Sequence, residues 1–592
     1  MPCNPGKESM KFTFDLFYGD QSPSKDFVGW VPKWWYRSVG LPIEKSVLPT
    51  GDEWLLAGWF LSDENPSEII SQFRSTGIET LFRADGQFIL AIYSKSNDCL
   101  EIYRDRTGIL PVVYTKRENT IGISTWIENV INFTKTKPSV SQELLQQYPV
   151  YRLTFVPDTP IQGIKTLSGR YSLRITGTRI ETIEHPMTIT TGSRYPSLEE
   201  ASGDLGENLS RSVKQRLRYC KNLGAWLSGG NDSSLLVALA RKYYEGPIKT
   251  VFVTFEDYPR NYGGYASGVS KQFQTEHLEV IVSPRHYLNL WAETIHSIEA
   301  PLNHPGTIGQ LAAFKQLSGT VDSMLAGEGA DSVFGGPYWA FMILLSYTAN
   351  ILPGGFRKWL SEISKKIEEN SFLSKSIVKS LKALSTPLRE YMLYGHTIGD
   401  EDMVDRVFGA GTWKRTITDR QSSIGMDPLN DLIFFLMLDW FPATIGANIR
   451  LGFEHELIFL FPFFDYELMQ NSLRLPVRLR YHYTTKKAAL KVYARNFFDR
   501  EFVYKPKEGF GVPLGIWFTK PEFKPFLYLP LEERSLKRGW WKEEKLRKVI
   551  EIHQSGGGND KTAESIPWIT MNLELWTRIC VEGDSPDAYK IS

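Results

Sequence analysis

The chain has 592 residues, of which 42% are hydrophobic, 13% aromatic and 23% charged; this leaves ample material for buried cores and excludes a disordered, collagen-like or coiled-coil protein. Lys plus Arg total 68 against 67 for Asp plus Glu, a net charge of +1, so no general nucleic-acid-coating surface is expected. The four cysteines (Cys3, Cys99, Cys220, Cys580) are widely spaced without a CxxC pair, which argues against a disulfide framework, a zinc site or a thiol-redox centre and suits the cytosol.

Met1 to Phe12 contains no apolar core followed by a small-residue cleavage site, so no signal peptide is expected. From Lys11 to about Glu181 the chain reads as short strands, among them Phe88 to Tyr93, Cys99 to Tyr103 and Val112 to Tyr114, separated by turn material such as Ser96-Asn97-Asp98. From Ser197 helical stretches alternate with compact apolar runs, Leu223 to Leu227, Thr250 to Phe255 and Ser323 to Ala326. Apolar strands separated by helices indicate βαβ units and a parallel sheet buried on both faces. The expected boundary lies between His185 and Ser197, giving units 1–190 and 191–592. Ser332 to Phe356 carries no charge, but its apolar part, Tyr338 to Tyr347, is about half the length a bilayer demands. A buried helix, not a membrane span, is expected there. Arg357 to Arg389 holds eight Lys/Arg against three Glu, with Ile377, Leu381 and Leu384 at helical spacing. That predicts a basic amphipathic helix, which either docks a peptide or partner or is a solvated face.

The most informative run is Gly224 to Leu239. A short apolar strand ends in Ser228-Gly229-Gly230-Asn231-Asp232-Ser233-Ser234, and an apolar helix starts at once. Two glycines let backbone N–H groups approach an anion closely, the helix N-terminus adds free donors and partial positive charge, and the serines add hydroxyls. Asp232 then stands where it can hold a cation against bound phosphates. The competing reading is an ordinary strand-to-helix turn capped by Asp232 or Ser233. No GxxxxGK[ST] occurs, so the loop is not of the Walker type.

The heptapeptide resembles the pyrophosphate loop of enzymes that split ATP between its α and β phosphates. Leu325 to Gly336 (LAGEGADSVFGG) is similar to the second ATP-site signature of asparagine synthetases. Lys505 to Leu514 (KPKEGFGVPL), preceded by Lys486 to Lys491 (KKAALK), resembles the lysine-bearing segment of the same superfamily. Asp85-Gly-Gln-Phe88 and Arg104 to Pro111 (RDRTGILP) resemble landmarks of the glutaminase-like domain that precedes it. The resemblance implies an α/β protein: an N-terminal glutaminase-like (Ntn-type) αββα sandwich, then a pyrophosphate-loop ATPase domain with a parallel sheet and many helices.

Two departures shape the functional expectation. Position 2 is Pro2 and Cys3 comes one residue late for an N-terminal nucleophile, while the Asn-Gly-Glu segment that orients glutamine is replaced by Ala57-Gly58-Trp59. Glutaminase activity is not expected, and the nucleophile should be an amine that arrives with the substrate. That pattern resembles the lasso-peptide macrolactam synthetases and the β-lactam synthetases, which adenylate a carboxylate and let an amine of the same molecule displace AMP. Length, and the helical stretch between Asp331 and Phe463-Phe464-Asp465, favour the peptide branch; β-lactam formation and ammonia-dependent asparagine synthesis are the alternatives. The expected substrate is a peptide or a small amino-acid derivative, and the peptide branch implies a precursor-processing protease as partner.

The resemblance implies ATP and Mg²⁺ as cofactors. Asp232 and Asp331 match the magnesium-binding carboxylates, Asp331 having a helix cap as its competing reading. Ser228, Gly229, Gly230, Asn231, Ser233, Ser234 and Gly327 line the nucleotide site. Lys507 matches the lysine that stabilises charge during adenylate formation and acyl transfer, unless it is a solvated surface lysine, and Lys487 contacts the leaving pyrophosphate. Glu328 stands where lactam-forming relatives carry a tyrosine, and is either the base for the amine or a structural carboxylate. Asn448 to Gly452 replaces the acidic-Arg-Met-Ser-Met segment, and Glu454 and Glu456 are candidates for a second carboxylate. A tRNA-thiolating enzyme would need a reactive cysteine beside Cys220, and none accompanies it.

Overall fold

A computed structural model of the chain describes residues 11–190, 192, 194–258, 263–335, 340–369, 375–387, 401–409, 428–482, 485–506 and 511–591. Pro2, Cys3, Gly336, Arg389 and Lys507 lie outside the described residues.

Twelve strands precede residue 185: β1 Thr13–Tyr18, β2 Val28–Val31, β3 Trp34–Val39, β4 Ile43–Val47, β5 Glu53–Phe60, β6 Gly86–Ser94, β7 Cys99–Arg104, β8 Val113–Arg117, β9 Thr120–Ser124, β10 Lys165–Thr166, β11 Tyr171–Thr176 and β12 Arg179–Glu184. They form two antiparallel six-stranded sheets, β10-β8-β9-β1-β3-β2 and β12-β11-β7-β6-β5-β4. The period-two alternation of β5 and β6 sorts their side chains onto two faces. Leu55, Ala57, Ile89 and Ala91 join Phe14 and Leu16 of the other sheet. Trp54, Leu56, Leu90 and Ile92 pack instead on Ile69, Ile70 and Phe73 of helix Pro66–Thr76. On the first sheet, Val130 and Thr134 of helix Ile127–Thr134 close over Gly122. The result is the αββα sandwich expected from the sequence.

The second sheet system is parallel, in the order β15 (Glu276–Val282), β14 (Ile248–Phe255), β13 (Leu223–Trp226), β16 (Ser323–Leu325) and β17 (Ile458–Leu460). The chain leaves central β13 towards β14 on one side and later returns to place β16 on the other. That reversal opens a crevice at the carboxyl ends of β13 and β16, the usual ligand position in open α/β sheets. Beyond it, helix Lys375–Ser385 packs on both Ala340–Ile351 and Gly354–Glu369. The basic stretch is divided between Gly354–Glu369 and Lys375–Ser385, and in the latter the buried side is Val378 and Ala383, whereas Ile377, on the expected apolar face, is exposed. Among the described residues no helix is long and apolar enough to cross a membrane.

The two halves meet through buried charge. Asp85 accepts from Arg106 at 2.8 Å, from Arg216 at 3.1 Å and from the Tyr466 N–H at 3.4 Å. Arg106 also donates to the Phe464 carbonyl at 2.5 Å, and Gln87 to the Phe459 carbonyl at 2.5 Å. Burial works to raise the Asp85 carboxyl, but Arg106 and Arg216 hold it below the ordinary range. Asp465, 3.8 Å from Arg216, is raised by burial and by the neighbouring charge of Asp85. The segments that mark the sandwich in the sequence therefore fasten it to the loop after β17.

Candidate active site

The loop after β13 and the loop after β16 face each other across the crevice. Gly229 has φ +73°, and a Cβ there would lie 2.7 Å from the Tyr265 Cβ and 2.8 Å from the Ala266 nitrogen, so the turn admits only glycine. Helix Asn231–Tyr243 starts with Gly230 as its N-cap and no side-chain cap bond. The capped-turn reading of Asp232 and Ser233 is thereby corrected: Ser233 instead binds Ser228, Oγ to Oγ at 3.0 Å. The helix N-terminus faces the crevice with its positive end. Gly327 closes the approach from the other side; a Cβ there would stand 3.8 Å from the Asp232 Cβ and from the Ser233 nitrogen.

Asp331 lies in the first turn of helix Ala330–Phe334, whose N-cap is Gly329, so it is not the cap. Fully buried Arg480 donates to the Val333 carbonyl at 2.7 Å and steadies that helix from its carboxyl end. Lys487 precedes helix Ala488–Ala494 and reaches both acids, with Nζ 2.6 Å from Asp232 Oδ2 and 2.7 Å from Asp331 Oδ1. Burial opposes its charge, but Asp232 and Asp331 raise its pKa above the ordinary lysine value. Thus three segments far apart in sequence converge on one point. Glu328, three residues before Asp331, is half-buried, and burial raises its carboxyl above the usual range, only partly offset by a backbone hydrogen bond.

Lys505, which sequence reasoning passed over, donates to the Gly229 carbonyl at 2.7 Å and sits over the rings of Phe502 and Tyr265. Asn231 Nδ2 donates to the Val503 carbonyl at 2.9 Å. These bonds dock helix Arg500–Tyr504 on the loop Ser228 to Ser234. The signal for Lys505 was its place in the same short motif.

Glu454 and Glu456 do not reach the site. Both precede β17, which runs parallel to β16 in register Ser323 to Ile458 and Leu325 to Leu460, so they stand at the opposite end of the sheet. Glu454 pairs with Lys11 at 3.7 Å and Glu456 is exposed. Arg450 is likewise spent elsewhere, donating to the Thr125 carbonyl at 3.1 Å. Burial pushes the Cys220 thiol up to about 12, which leaves no thiolate for sulfur chemistry.

Comparison with known proteins agrees with this geometry. The asparagine synthase family matches residues 204–578, and the glutamine amidotransferase domain matches residues 58–184. The chain belongs to the asparagine synthase family. It is 22% identical to asparagine synthetase (glutamine-hydrolyzing) 1 of Bacillus subtilis over 538 residues, covering 88% of this chain and 82% of that protein. It is 23% identical to a putative asparagine synthetase of Mycobacterium tuberculosis over 485 residues, 79% of this chain and 73% of the other. Amidase chry2 of Gibberella zeae shares 20% identity over 78% of this chain and 75% of its own. Family members are ATP-using C–N ligases, and this asparagine synthetase-like protein is an ATP-dependent amide ligase.

Proposed function

We propose that this ligase adenylates a carboxylate of a peptide and closes it with an amine of the same molecule, forming a macrolactam of the lasso-peptide kind. The observation that carries the self-supplied amine is the state of the glutamine-orienting segment. Ala57 is fully buried in the sandwich core, and Trp59 stacks on Tyr219 of the synthetase half at 5.2 Å and 24°. Tyr219 in turn donates to the Phe60 carbonyl at 2.6 Å. Where a glutaminase needs polar side chains to orient an amide, this chain has an aromatic wedge between its two halves. The sandwich then serves as a scaffold for residues 191–592.

The chemistry follows from the crevice. A substrate carboxylate oxygen attacks the α-phosphorus of ATP, and pyrophosphate leaves into the loop Ser228 to Ser234. The amine nitrogen then attacks the acyl carbon, AMP leaves, and the amine proton passes to Glu328, whose carboxyl burial makes more basic than an ordinary carboxylate. Lys507 supplies the positive charge that meets the developing oxyanion. The residues present fit a Mg²⁺–pyrophosphate group: Asp232 Oδ1, Asn231 Oδ1 and Ser234 Oγ are buried without a protein partner. Mg²⁺ is commonly held by one or two carboxylates together with substrate phosphates, and here Asp232 and Asp331 would hold it. It would neutralise charge on the departing pyrophosphate. The helices between Asp331 and Phe463, with exposed Ile351, Phe356 and Trp359, favour a substrate larger than an amino acid.

Exchange of labelled pyrophosphate into ATP, dependent on the substrate peptide and lost in Asp331→Ala, is the test. Exchange that answers to aspartate and not to peptides would replace this reading with asparagine synthesis.

A further inference from the structure

Three segments bring Lys487 Nζ between two carboxylates that belong to separate strand ends, 2.6 Å from Asp232 and 2.7 Å from Asp331. Without a cation there, two carboxylates facing one point would repel each other. The exposures are unequal in an instructive way. The Lys487 side chain is 10% exposed, whereas Asp232 is 28% and Asp331 40% exposed. The ammonium therefore approaches from the protein side, and the acids remain open to the crevice from which nucleotide arrives. Lys487 is held there by its backbone, which takes φ +52° immediately before helix Ala488–Ala494.

We propose that Lys487 is a resident stand-in for the divalent cation: it holds Asp232 and Asp331 in place in the free enzyme and yields them only when the nucleotide delivers the metal. The inference rests on the reading of these two aspartates as the metal pair. A metal alone must displace a buried ammonium and gains only two protein oxygens. A metal arriving on a triphosphate brings further oxygen ligands, and the displaced ammonium finds phosphate as a new partner. The free enzyme is therefore kept from binding the cation in an order that would leave ATP outside.

The test titrates the full-length chain with Mn²⁺ as a spectroscopic substitute for Mg²⁺, following free Mn²⁺ by electron paramagnetic resonance. Wild type without nucleotide is expected to bind Mn²⁺ at least tenfold more weakly than with a non-hydrolysable ATP analogue. Lys487→Met is expected to bind one Mn²⁺ without nucleotide at least tenfold more tightly than wild type, and Lys487→Met combined with Asp331→Asn should lose that gain. Lys487→Gln, checked by circular dichroism, serves if the Met variant does not fold. Equal nucleotide-free affinities in wild type and Lys487→Met, or a gain that survives Asp331→Asn, overturn the proposal. Pyrophosphate exchange is scored separately: its absence in wild type counts against the ligase reading, while the nucleotide-free Mn²⁺ comparison speaks to Lys487 alone.

Discussion

Asp85→Ala removes the carboxylate shared by Arg106 and Arg216 at the junction of the two halves. Their side chains are 1% and 3% exposed, so neither guanidinium can turn to water. Breaking a buried pair from one side costs about 3–5 kcal/mol, because the partner charge stays buried and uncompensated. Two arginines are stranded here, which pushes the cost up, but compensation exists. Arg106 keeps the Phe464 carbonyl and the Tyr466 ring, and Arg216 keeps Ser212 at 2.6 Å. Asp465, freed from the charge of Asp85, also becomes a better partner for Arg216. The expected loss is about 3 kcal/mol, or roughly 10 °C for a cooperative unit of 150–250 residues. The Asp85 carboxyl lies below its ordinary value in the fold, so its contribution is present above the unfolded pKa of about 3.9 and fades as pH falls through the lower folded value. Scanning calorimetry at pH 7 and pH 3 reads both effects: a large gap between wild type and variant at pH 7 that narrows in acid. A melting temperature unchanged from wild type at pH 7 would refute the junction as described.

Glu328→Gln should lower turnover by roughly 10²–10⁴-fold. Because burial raises the Glu328 carboxyl above its unfolded value, the ionised form is a cost to the fold at neutral pH; the Gln variant should melt higher at pH 7, with the gap closing as pH falls below the ordinary carboxylate range. A lower melting temperature at pH 7 would make Glu328 a structural carboxylate. Gly229→Ala places a Cβ 2.7 Å from Tyr265 at positive φ, and should weaken ATP binding at least tenfold by calorimetry while leaving a soluble protein. Lys507→Met should lower turnover by orders of magnitude with a much smaller change in ATP affinity, the signature of an interaction made in the transition state. Full activity in that variant would end the assignment.

The parallel sheet was legible because β13, β14 and β16 lie in compact apolar runs, and the tight strand-to-helix turn at Gly229 and Gly230 because its glycines follow a strand directly. Strand β17 was not: Ile458–Leu460 lies inside the apolar run Leu457 to Phe461, which leads straight into Pro462-Phe463-Phe464 with no polar turn residue to mark its end. That omission is why Glu454 and Glu456 remained candidates, since only the direction of β17 shows that they stand at the wrong end of the sheet. Asp85 and Arg106 were recognised by motif, but their partner Arg216 sits in a helix with no local signal, and a salt bridge across 131 residues has no periodicity to betray it. Lys487 was placed near the pyrophosphate by resemblance, whereas its bridge between two acids emerges only when three segments meet. In the basic stretch, the spacing of Ile377, Leu381 and Leu384 gave the helix, but packing of its neighbours chose Val378 and Ala383 for the buried side.

The central claim is that a carboxylate is activated by adenylation and closed by an amine of the same substrate. Its most direct test is to incubate the enzyme with ATP and a candidate peptide, then read the nucleotide product and the intact mass of the peptide together. The account predicts AMP with pyrophosphate, and a peptide lighter by one water that resists proteases. Formation of ADP, or a peptide that gains ammonia or a second molecule, would contradict it.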